Sequence, residues 1–115
     1  MSATAPYARG RRKEYDVLRR LRAAGWHAQR TAGSHGLFDV VAIKGGQPVK
    51  LVQVKYTKRP GLAWADANWH SLAAFGRDSS IPADVEAWVY RFGVAAPQVW
   101  VPTPDGLTLL PKGSV

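Results

Sequence analysis

The stretch that decides the fold is an apolar run at residues 49–56, Val49-Lys50-Leu51-Val52-Gln53-Val54-Lys55-Tyr56. A second such run precedes it at residues 37–43, Leu37-Phe38-Asp39-Val40-Val41-Ala42-Ile43. Both runs are rich in β-branched residues and predict β-strands at residues 37–43 and 49–57. Polar groups interrupt them at Asp39, Gln53 and Lys55, and a charge buried in such a run needs a partner, a metal or a chemical role. These three residues therefore define a candidate functional site.

The segment between the two runs fixes how they should pair. It contains Gly45-Gly46, which predicts a hairpin turn. A hairpin centred there places residue 39 opposite about residue 52 or 53. Because side chains alternate along a strand, Gln53 and Lys55 share one face. We therefore expect Asp39 to lie beside both.

The rest of the chain shows the spacing of two helices and several more strands. Gly25 should end the first helix, and a strand follows each helix. The predicted helices cover residues 11–24 and 65–75, and the further strands cover residues 26–30, 85–92, 99–101 and 107–110. This order predicts an α/β fold, a mixed β-sheet flanked by helices. We expect a flexible N-terminal arm at residues 1–8 and a single domain at 9–115.

Composition restricts the class of partner. The chain has 115 residues and is 46% hydrophobic, enough for one core. Sixteen Lys and Arg against eight Asp and Glu give a net charge of +8, which favours nucleic acid as partner before a membrane surface. The alternative is a basic protein without a polyanionic partner. The absence of cysteine excludes disulfides and thiolate metal sites.

No part of the sequence indicates a membrane. No apolar run reaches the roughly 18 residues of a spanning helix, and the N-terminus lacks the apolar region of a signal peptide. We therefore expect a cytoplasmic protein.

Glu14 is a further candidate for the site. It lies three and four residues before Val17 and Leu18, on the apolar side of the first helix, and it is one of only two glutamates. A carboxylate on such a stripe should be paired or bind a ligand. The alternative is a favourable interaction with the dipole at the helix N-terminus.

The candidate residues suit hydrolysis of a phosphodiester. A hard divalent cation takes oxygen ligands, here Asp39, the Gln53 amide oxygen and Glu14 through water. Mg²⁺ is the expected ion, with Mn²⁺ as a substitute and no small-molecule cofactor. The metal would polarise the phosphate, and Lys55 would orient the attacking water or stabilise charge on the phosphate. The alternative is that Gln53 and Lys55 are ordinary polar strand residues.

Residues around the site offer contacts to DNA. Ser34 lies in a Gly-rich loop before Asp39 and could bind the scissile phosphate, although it could equally be a turn serine. His35 in the same loop could touch DNA. Basic residues flank the site on both sides: Arg9, Arg11, Arg12, Lys13, Lys58 and Arg59. Such residues contact phosphates without reading sequence, or else form a solvated charged face.

In order along the chain, these residues resemble the archaeal Holliday junction resolvase family and its phage and bacterial relatives, within the PD-(D/E)xK nuclease superfamily. The matching pieces lie within residues 9–58: 9–14, 30–34, 38–42 and 51–55. The resemblance implies a restriction-endonuclease-like core with Glu14, Asp39, Gln53 and Lys55 at the catalytic positions and Ser34 as the loop serine. It also implies a homodimer that cuts two symmetric strands of a four-way junction with magnesium.

The sequence departs from the family pattern at two positions. Phe38 precedes Asp39 where the motif name has proline, a position that varies widely. Gln53 stands where the family usually has glutamate, and a neutral amide removes one negative charge from a metal site. Weaker metal binding is the expected consequence.

Three functions therefore remain open. The first is a resolvase, which would make paired nicks in junctions. The second is a nuclease of the same fold that acts on another DNA substrate in repair or restriction. The third is a non-catalytic DNA-binding relic, which would bind junctions without cutting them.

The apolar and aromatic segment 85–101 favours an oligomer interface. Trp69, Trp88 and Trp100 are expected in the core, and Trp64 is a candidate for exposure.

Overall fold

The computed structural model describes residues 6–31, 37–78, 80 and 82–111, with side chains described from residue 11 onward. These residues form two helices and six strands. Their order is α1 (Pro6–Ala23), β1 (His27–Arg30), β2 (Val40–Ile43), β3 (Val49–Thr57), α2 (Ala67–Asp78), β4 (Ala83–Arg91), β5 (Gln98–Thr103) and β6 (Gly106–Leu109). Neither helix is long and apolar enough, over the described residues, to cross a membrane.

The six strands form one mixed sheet in the order in which they occur along the chain. Every neighbouring pair is antiparallel except β3 and β4, which are parallel. A parallel pair needs a crossover connection, and α2 lies in that connection. The predicted α/β fold with a mixed sheet is confirmed.

Helix α1 begins and ends at residues suited to those positions. Pro6 opens it, and proline is favoured in the first turn because its missing N–H would have no partner in the helix. At the other end Gly25 has a φ of 94°, and the Trp26 N–H donates to the Leu21 carbonyl at 3.0 Å. This pattern closes a helix at glycine. The helix starts five residues earlier than predicted, so residues 6–8 of the expected arm are helical.

The sheet separates two apolar cores, one under each helix. Val17, Leu18 and Leu21 of α1 pack with sheet residues that include Val52. On the opposite face, α2 packs with sheet residues that include Leu51. Because the faces alternate along β3, the odd-numbered Gln53 and Lys55 belong to the α2 side.

Trp64 is buried, contrary to its expected exposure. Only 5% of it is accessible, and its ring lies 5.7 Å from that of Trp69 in an edge-on arrangement. The ring of Trp100 lies 6.0 Å from that of Trp64, and the two ring planes are inclined at 48°. These aromatic contacts fold the segment after β3 back onto the sheet, which places the residues before α2 next to the end of β3.

Candidate active site

The site begins with the position of Asp39 at the end of the β2–β3 hairpin. Val40 pairs with Val52, so one step further Asp39 comes level with Gln53. The Asp39 N–H donates to the Val52 carbonyl at 2.8 Å, and the Val54 N–H donates to Asp39 Oδ2 at 2.8 Å. The predicted hairpin and its register are confirmed. Regular pairing stops at Val40, because the Asp39 carboxylate binds the β3 backbone at that point.

The electrostatic surroundings of Asp39 connect it to two other predicted residues. Burial raises the pKa of Asp39, and the negative charge of Glu14 raises it further. The Val54 N–H and the positive charges of Lys55 and Arg30 act in the opposite direction but do not outweigh burial. Glu14 and Lys55 are thus close enough to Asp39 to influence its ionisation.

Gln53 is the most informative side chain of the site. It is 5% exposed, and its Nε2 donates to the Leu37 carbonyl at 3.0 Å and to the Asn68 carbonyl at 2.8 Å. Both amide hydrogens are therefore used, which fixes the orientation of the amide. Its Oε1 is buried and accepts no hydrogen bond. A buried acceptor without a partner is costly, and at a functional site it indicates room for a ligand.

Lys55 is held by a residue that the sequence reasoning missed. Its Nζ lies 2.6 Å from Asp66 Oδ2. Asp66 Oδ1 accepts the Trp69 N–H at 3.0 Å, so Asp66 caps the N-terminus of α2. An aspartate just before an apolar helical pattern is a recognisable cap signal. Its ion pair with Lys55 joins residues 11 positions apart in two different elements and could not be derived from spacing.

Glu14 approaches the site from the other face of the sheet. Its Oε1 accepts a hydrogen bond from Arg30 Nε at 2.8 Å, and the Arg30 guanidinium lies 5.0 Å from the Tyr15 ring centre. Because α1 begins at Pro6, Glu14 lies beyond the first turns, where the helix dipole has little effect. A dipole role for Glu14 is therefore excluded. Arg30, which positions this carboxylate, was not predicted as a site residue.

The donor atoms at this point fit a hard divalent cation. Asp39, Gln53 and Glu14 all offer oxygen, the ligand that Mg²⁺ and Ca²⁺ prefer. The described ranges contain no cluster of three or more His, Cys, Asp and Glu residues suited to a metal. The unpartnered Gln53 Oε1 is the amide oxygen that this donor set offers.

The predicted DNA contacts fall into two groups around the site. Arg11 and Arg12 are exposed on α1, and Lys13 packs its Nζ over the Tyr56 and Tyr90 rings at 5.7 and 5.1 Å. Lys58 and Arg59 are exposed where β3 ends. Ser34 and His35 lie outside the described residues, as does the side chain of Arg9.

The loop that carries Lys58 and Arg59 is fixed by Arg91. Its guanidinium donates to the Arg59 carbonyl at 2.8 Å and to the Gly61 carbonyl at 2.7 Å. Its Nε donates to Gln98 Oε1 at 3.0 Å, which ties the same arginine to β5. Arg91 ends β4, and nothing in its sequence context distinguished it from a solvent-exposed arginine.

These features define an α/β nuclease core, with an acid, an amide and a lysine where two paired strands end. A family model described as archaeal Holliday junction resolvase (Hjc) matches residues 5–89, which include every element of the site. The chain belongs to this family of junction-resolving endonucleases. A search of the curated proteins found no match.

A solved structure supports the same fold. Hjc of Archaeoglobus fulgidus, a Holliday junction resolvase from an archaeal hyperthermophile, superposes with a TM-score of 0.62 at 24% sequence identity. The match covers 90% of this chain and 88% of that one. The likeness extends past residue 58, beyond which only the order of elements had resembled the family.

Proposed function

We propose that this chain is a divalent-metal-dependent resolvase that cuts four-way DNA junctions by paired phosphodiester hydrolysis as a homodimer. Mg²⁺ is the proposed ion, with Mn²⁺ as a substitute. The observation that carries the proposal is the buried, unpartnered Gln53 Oε1 beside Asp39, because it matches the oxygen chemistry of such a site. The catalytic domain is proposed to comprise residues 9–115, together with residues 6–8, which belong to it as the start of α1.

Each side chain of the site has a distinct part in this mechanism. Asp39 and Gln53, with Glu14 through water, would hold the metal, which would polarise the phosphate and make a water molecule more acidic. Lys55 places its ammonium group at the same end of β3, where it orients the water or stabilises negative charge that develops on the phosphate. Ser34 is proposed to bind the scissile phosphate from the loop before Asp39.

The basic residues supply affinity and orientation. Part of the net charge of +8 comes from basic residues that flank the site residues in the sequence: Arg9, Arg11, Arg12, Lys13, Lys58 and Arg59. His35 is also near the site residues in the sequence. Contacts to phosphates release counterions, so binding should weaken steeply with salt. They carry no sequence information, so preference for a junction must come from its shape.

A dimer would explain paired cuts, because two-fold symmetry presents two identical sites to two symmetric strands. Phe92 and Val94 are exposed apolar side chains between β4 and β5 and support an interface at this end of the segment 85–101. Light scattering at the concentrations used for cleavage should give twice the chain mass of 12.6 kDa. A mass of one chain under cleaving conditions would contradict the dimer.

The resolvase proposal is tested with a labelled four-way junction and a linear duplex made from the same arms. Each is incubated with protein in Mg²⁺ or in EDTA, beside Asp39→Asn. Asp78→Asn is the matched control, because Asp78 is an exposed acid that pairs with Arg77 at the end of α2. We expect symmetric nicks in the junction alone, which require metal and Asp39 and persist in the control.

Two other outcomes would contradict the proposal in different ways. Equal cleavage of linear or flapped DNA would indicate a nuclease of this fold with another substrate. Tight junction binding without nicks, in Mg²⁺ and in Mn²⁺, would indicate a DNA-binding relic, with Gln53 as the mark of lost activity.

A further inference from the structure

The first turn of α2 contacts both polar residues of β3 that belong to the site. Asp66, the cap of the helix, accepts a hydrogen bond from Lys55 Nζ at 2.6 Å. Two residues later, the Asn68 carbonyl accepts one from Gln53 Nε2 at 2.8 Å. Gln53 and Lys55 are thus oriented by one short segment that contributes none of the proposed catalytic residues.

The hydrogen bonds that Gln53 donates determine what kind of side chain suits position 53. Gln53 Nε2 donates to two carbonyl oxygens, those of Asn68 and Leu37. An ionised glutamate has no hydrogen to donate, so it would bring a negative oxygen against two acceptors in a buried place. The glutamine at this position therefore matches its surroundings and leaves Oε1 as the one polar atom available to a ligand.

The Asp66 contact holds Lys55 in a defined place. Partial burial favours the neutral acid, but hydrogen bonds from Lys55 and from the Trp69 N–H keep the pKa of Asp66 below its ordinary value. The Lys55 side chain is 18% exposed, so most of its flexible stem is already packed. A lysine that is both packed and paired loses little further freedom when it meets a phosphate.

We propose that residues 66–68 are a positioning element of the active site, in which Asp66 orients Lys55 and the Asn68 carbonyl, together with that of Leu37, selects an amide at position 53. This inference rests on the proposed function, since it concerns the same site. Neither residue is proposed to touch the DNA or the metal, and both act through β3.

The role of Asp66 is tested with Asp66→Asn, which keeps a good cap and removes the negative charge. Three quantities are measured: single-turnover cleavage with saturating protein, the junction Kd and the melting temperature. We expect cleavage to slow about 10-fold or more, with Kd and melting temperature close to those of the wild type. The charge-retaining Asp66→Glu should recover part of the rate.

Asp78→Asn serves as the control for loss of an acid from the same helix and should leave the rate unchanged. An Asp66→Asn variant that cleaves at the wild-type rate would overturn the role of Asp66. A slower rate that is accompanied by a lower melting temperature, with no recovery of rate in Asp66→Glu, would mean that Asp66 is only a helix cap. This outcome would also overturn the proposed role of Asp66.

The selection of an amide at position 53 is tested without metal and without DNA. Melting temperatures are measured in EDTA at pH 8 for the wild type, Gln53→Met and Gln53→Glu. Methionine removes the donor without adding charge, so it reports the loss of the two hydrogen bonds alone. We expect Gln53→Glu to melt about 5–10 °C below the wild type and clearly below Gln53→Met.

A Gln53→Glu variant that melts at or above the wild-type temperature would overturn selection of an amide. Because this measurement needs no cleavage, it separates the two levels of the proposal. If the wild type fails to cut junctions, the resolvase proposal fails together with the role of Asp66, while the melting temperatures still decide whether the Asn68 and Leu37 carbonyls select an amide.

Discussion

Two groups of buried polar residues lie along β3, and they differ in how completely they are paired. Near the start of the strand, Lys50 Nζ lies 3.1 Å from Glu86 Oε2, and both side chains are 6% exposed. Glu86 Oε1 accepts the Trp88 indole N–H at 2.8 Å, and Lys50 Nζ sits 4.5 Å from the Trp26 ring centre. Each charge in this pair has partners from its neighbours.

From Gln53, at the middle of the strand, towards its end the situation is reversed. Gln53 Oε1 is buried without a partner, and burial together with the charge of Glu14 raises the pKa of Asp39. Two buried indole N–H groups, of Trp26 and Trp64, also lack partners, but a donor cannot bind a cation. Burial of a polar group in a strand therefore does not by itself indicate a site, and we base the proposed site on an unpartnered acceptor beside like charges.

The largest expected effect comes from a substitution of Asp39, beside the unpartnered end of β3. Asp39→Asn should lower junction cleavage about 10³-fold or more, since a metal ligand contributes several kcal/mol to transition-state stabilisation. Junction Kd should change little, because phosphate contacts remain. Single-turnover cleavage and a binding titration measure the two quantities. Retention of more than about a tenth of wild-type activity would contradict the role of Asp39.

The next largest effect comes from a substitution in the Lys50–Glu86 pair, at the fully paired end of β3. Lys50→Met leaves Glu86 buried without its counter-charge and should cost about 3–5 kcal/mol of unfolding free energy. Urea unfolding measures this loss. The double variant Lys50→Met with Glu86→Gln should recover most of it, because no unpaired charge remains. Cleavage per folded molecule should stay at the wild-type level in both variants, and a specific loss of cleavage would show that the pair belongs to the site.

A smaller effect concerns another paired acid, Asp16 of α1. Burial alone would raise its pKa, but hydrogen bonds from Tyr90, Arg20 and Arg19 outweigh burial and hold it below the ordinary value of 3.8. A lowered pKa in the folded state stabilises the fold above the ordinary value, and this contribution disappears as pH falls through the folded-state pKa.

Asp16→Asn should therefore cost about 1–2 kcal/mol at pH 7, and the cost should shrink at strongly acidic pH. Urea unfolding of both proteins at pH 7 and near pH 3 measures the difference. A cost that stays constant or grows towards acid would show that the carboxylate charge is not what the Tyr90 hydroxyl and the arginines recognise.

The smallest effect concerns DNA affinity at the edge of the site. Lys58→Gln and Arg59→Gln should each weaken junction binding by a similar factor for all sequences and lower the slope of log K against log salt by about 1. Arg77→Gln is the control, an exposed arginine at the far end of α2. Slopes equal to that of the control would show that these two residues lie outside the DNA interface.

Local pattern predicted the central hairpin well. The bounds of β3 were predicted at residues 49–57, and the register of Asp39 followed because a two-residue period and a glycine turn leave little freedom. Helix α1 was placed correctly at its glycine end, whereas its start was late because Pro6 was assigned to an arm.

What the sequence did not reveal depends on contacts between distant segments. The pairs Asp66–Lys55 and Arg30–Glu14 join residues 11 and 16 positions apart, and no periodicity links them. Trp64, two residues before Asp66, packs its ring near those of Trp69 and Trp100, whereas the sequence had made it a candidate for exposure. The roles of Ser34, His35 and Arg9 stay predictions.

The central claim is that the unpartnered end of β3, and not its paired end, binds a divalent cation. The most direct test is binding of Mn²⁺ to the free protein, measured by electron paramagnetic resonance for three proteins: the wild type, Asp39→Asn, and Lys50→Met with Glu86→Gln. We predict one site per chain in the wild type and in the double variant, and its loss in Asp39→Asn. Equal Mn²⁺ binding by the wild type and Asp39→Asn would contradict the claim.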